Sequence, residues 1–205
     1  MPLAGLLMAA TLLNTPTLDV KAEPRAGDYP IGMLQANKSA YGDVDLIISP
    51  KGDVESCILI SSVGDTKFAG EFCQMFSKFR WHPALDTDGS PIYAELRISR
   101  KFFIPGTPQG QEVQKSKPAA DFEIRFPEGT SVGGKDLDVY LSVEVGPDGT
   151  ATACARQSRP GNKTIPQRLV DLACSSVLHR AFGPINTKSG SLQHYVTGQI
   201  ARFRG

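Results

Sequence analysis

Residues 48–57 read ISPKGDVESC, and residues 145–154 read VGPDGTATAC. Pro50, Gly52 and Cys57 recur 97 positions later as Pro147, Gly149 and Cys154. Cys73, Trp81, Pro83 and Gly89 recur 101 positions later as Cys174, Phe182, Pro184 and Gly190. Self-similarity at a fixed offset marks a repeated structural unit. The 205 residues therefore read as two tandem copies of one small α+β unit, each with one cysteine pair. Each copy is expected to form a three-stranded antiparallel sheet packed by one or two helices. The boundaries read as a lead-in at 1–27, a first unit at 28–103, a linker at 104–120 and a second unit at 121–205.

Before the quoted turn, Val44, Leu46 and Ile48 alternate with Asp43, Asp45 and Ser49. That period of two predicts a half-buried strand. Pro50 and Gly52 suit a tight turn in which Gly takes the left-handed conformation. A return strand is expected over Val54 to Ser61. Asp65 then offers a helix N-cap. Ala69, Phe72, Cys73, Phe76 and Phe79 fall on one helical face, which sets Cys73 against the sheet. Ile92, Ala94, Leu96 and Ile98 predict a third strand. Upstream, Pro30 suits the first turn of a short helix running toward Gln35.

The second copy repeats this order with Val139, Leu141, Val143 and Val145 in the first strand. Thr164 and Gln167 have the spacing of a capping box. Val170, Ala173, Cys174, Val177, Leu178 and Ala181 form the apolar helix face. The last strand runs from Tyr195 to Arg204. With Val196, Gly198 and Ile200 as its apolar positions, it fits copy one only if the offset changes by one residue. Residues 104–120 hold three Pro, two Gly and three Gln with no periodicity, and read as a linker.

Four cysteines allow three pairings, and sequence alone does not choose among them. Duplication favours bonds kept within each copy, Cys57 with Cys73 and Cys154 with Cys174; four buried thiols are the alternative. Closing loops of this length stabilises by roughly 3 kcal/mol in the chain-entropy picture. Disulfides imply an oxidising compartment. Leu3 to Leu13 has the length of a signal-peptide core and is too short to span a bilayer, although no Lys or Arg precedes Lys21. Lys plus Arg total 22 against 21 for Asp plus Glu, which argues against a nucleic-acid binder.

The first copy resembles the C-terminal periplasmic domain of TonB. The residues carrying the resemblance are DYP at 28–30, Gly52-Asp53-Val54, SSVGD at 61–65 and WHPALDTDGSPIY at 81–93. It covers residues 28–103; copy two, over 121–204, is a weaker version. The resemblance implies a periplasmic protein that works by contact and takes an envelope partner, such as an outer-membrane TonB-dependent receptor, as an extra strand. An unpaired sheet edge offers the N–H and C=O groups for this. The third strands are the expected edges, at 92–100 and 195–203. The candidate contact residues are Tyr93, Glu95, Arg97 and Ser99 in copy one and Val196, Gly198 and Ile200 in copy two. The transmembrane anchor and Pro-rich spacer of an energy transducer have no counterpart in the sequence, so transduction by this chain alone is not implied.

Catalytic, cofactor and metal motifs do not stand out. His82 and His179 read as helix-end residues, and His194 has no evident acid or metal partner. Ser61-Ser62 has no nucleophile elbow around it. Asp86 and Asp88 read as turn residues beside Gly89, and Arg100-Lys101 and Arg202 to Arg204 as solvated strand ends. Trp81 and Phe182 read as core. The alternative reading is a secreted small-ligand binder or hydrolase with a cleft between the units.

Overall fold

A computed structural model of the chain describes residues 15–18, 30–128, 130, 136–157, 165–185, 187, 190 and 192–205. The apolar segment from Leu3 to Leu13, Asp28, Tyr29 and Thr164 lie outside the described residues.

The first half contains β1 (Thr17–Leu18), α1 (Ile31–Gln35), β2 (Ala40–Ile48), β3 (Val54–Gly64), α2 (Thr66–Phe76), β4 (Trp81–His82), β5 (Ala84–Leu85) and β6 (Pro91–Phe102). There follow α3 (Pro108–Lys115), β7 (Phe122–Arg125), β8 (Leu137–Val145), β9 (Ala151–Arg156), α4 (Gln167–Leu178) and β10 (Tyr195–Arg204). The strand, turn and helix order read from the repeat is present. Gly52 and Gly149 both sit at φ 81°, the left-handed region the hairpin requires. Asp65 caps α2 by accepting the Phe68 N–H at 2.9 Å. Helix α4 instead begins after Pro166, which supplies no side-chain cap.

Both disulfides close within their own copies. Cys57–Cys73 and Cys154–Cys174 each have Cα atoms 5.5 Å apart, and each ties a strand to the helix that follows it. The glycine of each hairpin also touches the repeat's aromatic position. Trp81 donates its N–H to the Gly52 carbonyl at 3.2 Å, and Phe182 donates to Gly149 at 3.0 Å. A Cβ on either glycine would collide with the carbonyl oxygen of that aromatic residue.

One eight-stranded sheet runs through both halves, in the order β3-β2-β6-β10-β8-β9, with β5 added to β6 and β7 to β10. The halves are therefore not two separate three-stranded sheets. Strands β3 and β6 each run antiparallel to the β2 between them, as β9 and β10 do to β8. The two triplets meet where β6 and β10 pair in parallel. Tyr93 faces Tyr195, Ala94 faces Val196 and Glu95 faces Thr197, an offset of 102.

Inside each half the repeat keeps its own offset. Leu46 pairs with Leu96, and its counterpart Val143 pairs with Thr197. Thr197 thus stands where Leu96 does, 101 residues on, the same offset as Cys73 and Cys174. The face of β10 that shares a core with α4 carries Tyr195, Ala201 and Phe203, and Val196 is buried on the opposite face. The one-residue change of offset expected from the sequence is corrected accordingly.

The one-residue slide belongs to the seam instead. Pairing like strands in parallel requires a two-fold turn about an axis along them, which puts the second copy upside down. Successive side chains on a strand point to opposite faces. Residues paired side by side share a face, so the overturned copy pairs one residue out of step. The two helices accordingly fall on opposite faces of the sheet. Helix α2 buries Phe68, Ala69, Phe72 and Phe76 against Val44, Leu46, Ile48, Leu96 and Phe102. Helix α4 buries Leu169, Val170, Ala173 and Val177 against Val139, Leu141, Val143 and Tyr195. Ile47, which alternates with Leu46 and Ile48, joins the α4 core. The segments after each helix cross over: Ala84 packs on Val196, Ala153 and Ala155, while Ile185 shares a core with Ile47.

Two further expectations fail against this fold. The 104–120 segment is not a free linker. Thr107 caps α3 by accepting the Gly110 N–H at 2.9 Å, and Val113 is fully buried. The third strands are not edges. Tyr93, Glu95, Arg97 and Ser99 lie on β6, which has β2 on one side, and Val196, Gly198 and Ile200 lie on β10, which pairs with β8. Parallel pairing of β6 with β10 at Tyr93, Ala94 and Glu95 takes up groups an added strand would need there, and β7 pairs with β10 from Ala201 to Arg204. The sheet ends instead at β3 and β9.

Candidate interaction surface

The face of the first half opposite α2 carries a polar network that links the two halves. Asp43, buried, accepts from the hydroxyls of Tyr41 at 2.5 Å, Ser99 at 2.6 Å and Ser61 at 2.8 Å. Burial, and then the Asp43 contact, push the Tyr41 hydroxyl well above the usual phenol range. Arg97 forks onto both oxygens of Asp45, at 2.8 and 3.0 Å, and reaches Asp121 at 2.8 Å. The second Asp121 oxygen accepts the Ile200 N–H at 2.7 Å, and the Asp121 N–H donates to the Ile200 carbonyl at 2.9 Å. Asp121 thus fills the wedge where β6 and β10 part, before β7 pairs with β10 at Ala201.

Beside this network lies a cavity of 120 Å³. Asp45, Glu95 and Ser56 give it polar atoms, and Ile47, Ile58, Ile60, Pro184 and Ile185 give it apolar walls. Glu95 accepts from the Thr197 hydroxyl at 3.1 Å. Burial, then the charge of Asp45, raise the Glu95 carboxyl above its ordinary range. Ile58 and Ile60, on the edge strand β3, are 55% and 50% exposed. From Ser56 to Val63 this edge holds no charged residue. Strand edges in natural proteins are commonly protected by charge, Pro or bulges; β3 has a bulge opposite Asp43/Val44 but neither of the others along that run. The other edge, β9, is shorter and ends in Arg156.

The remaining candidates scatter. Asp86 accepts from the Asp88 and Ser90 N–H groups and builds a turn. His82 pairs through β4 with Thr17, and His179 follows α4 as its C-cap. His194 does have an acid partner, contrary to expectation: its Nε2 lies 2.7 Å from the Glu144 carboxylate. Arg202 forks onto Asp138, and Arg204 pairs with Glu123 and Asp136, so these strand ends are paired rather than merely solvated. Arg100 lies over the Phe102 ring. Sequence pattern does not single out Asp43, Asp45 and Asp121 as a group. Their one signal is the acidic phase of β2, where Asp43 and Asp45 alternate with Val44 and Leu46.

No group of three or more His, Cys, Asp or Glu residues suited to a metal occurs among the described residues. No described helix is long and apolar enough to cross a membrane. The chain matches no protein-family model, no curated protein and no solved structure.

Proposed function

We propose that this chain is a periplasmic binding module made of two TonB-like units joined through their third strands, and that it acts by contact with an envelope protein. The observation that carries this reading is the long uncharged edge of β3 with Ile58 and Ile60 exposed on it. An extended segment of the partner adds to that edge, its backbone taking up the unpaired groups. The two disulfides support an oxidising location. An outer-membrane TonB-dependent receptor is the partner the resemblance suggests, without energy transduction by this chain.

The test is a pull-down from envelope extract under non-reducing conditions, with wild type and Ile58→Lys side by side. A partner retained by wild type and lost by the variant is expected. Equal retention by both overturns the β3 assignment, and no retention by wild type overturns the binding role.

A further inference from the structure

We propose that the cavity behind β3 receives a basic side chain, lysine or arginine, carried by the partner segment; this rests on the protein-binding reading above. Ile58 and Ile60 of the edge strand form one wall of the cavity, so it lies beside the docking edge. Its apolar walls suit an aliphatic stem, and its floor is acidic. Arg97, the cation bonded to that floor, is committed to Asp45 and Asp121. Glu95 makes no salt bridge among the described residues; its partner is the neutral Thr197 hydroxyl. A desolvated carboxylate whose opposing charge, Arg97, is already bonded to two other carboxylates favours an incoming cation. Charge complementarity therefore selects a basic residue over a neutral or acidic one.

The experiment uses the full chain with disulfides intact and three fluorescent nine-residue peptides of alternating threonine and valine. Their central residue is lysine, norleucine or glutamate. N-acetyl-lysine methylamide serves as the free side-chain probe. Anisotropy gives affinity, and hydrogen exchange reports protection of the β3 amides. The lysine peptide should bind at least about tenfold tighter than the norleucine peptide, a difference one desolvated charge pair supplies. Glu95→Gln should abolish that preference, and Glu95→Asp should retain part of it. Equal binding of lysine and norleucine peptides, with β3 protected, overturns this inference and leaves strand addition standing. Binding with no protection of β3 overturns the edge assignment. Tight, Glu95-dependent binding of the free probe alone assigns the cavity to a small amine and overturns a partner-borne side chain. Failure of every peptide to bind overturns both readings.

Discussion

Gly52 and Glu95 are the residues where local physics is most exposed. Gly52 combines a left-handed φ with direct contact to the Trp81 carbonyl, whereas Gly89 has a similar φ and open space around it. Gly89→Ala should cost about 1 kcal/mol, the strain of the left-handed region. Gly52→Ala should cost about 3 kcal/mol, because the turn must also move away from Trp81. Denaturant titration of the two variants measures the difference. Glu95 has its folded pKa raised, chiefly by burial. Its ionised form therefore opposes folding at neutral pH, and the penalty fades as pH falls through the folded value toward the unfolded one. Glu95→Gln should melt higher than wild type at pH 8 and together with it near pH 4, as followed by circular dichroism.

Among the elements, α3 departs from expectation with the clearest physical cause. Its sequence is rich in Pro, Gly and Gln, and its eight residues are too few for periodicity to be read. Its stability comes from a cap at Thr107 and one buried side chain, Val113. Thr107→Ala should cost about 1 kcal/mol, and Val113→Ala about 2 kcal/mol. Thermal melts of both variants test this; a flexible linker would show neither loss. Elements set by alternation or helical spacing, such as β2, β6, α2 and α4, are legible because each buries one regular face. Their ends are less so. Phe79 lies beyond α2 yet still packs on Phe76, with ring centroids 6.1 Å apart. The phase of β10 is harder to read still, because both its faces are covered: Val196 and Tyr195 are each buried, in different clusters.

For the whole molecule, the joint between the halves decides what is left to bind. Asp121 holds Arg97 of β6 and the Ile200 N–H of β10 at once. Asp121→Ala should destabilise the protein by about 2 kcal/mol, since it removes one of the two carboxylates bonded to a half-buried guanidinium and leaves the Ile200 N–H without its partner. Hydrogen exchange should show the loss concentrated at the β6–β10 seam. The crossed segments at Ala84 and Ile185 add apolar contacts between the halves. A molecule joined this way presents β3 and β9 to the outside and keeps the two third strands within.

The repeat, the hairpins and the helix faces can be read off the chain, because each rests on residues close in sequence or on duplication, and duplication also favours the disulfide pairing that the structure has. Which strands are edges cannot. Edge status is not a property of a strand's own residues; it depends on what pairs beside it, and here the neighbour of β6 is its own counterpart from the other half. For the same reason Asp121 joined Arg97 and Asp45 only when the sheet closed across the two halves.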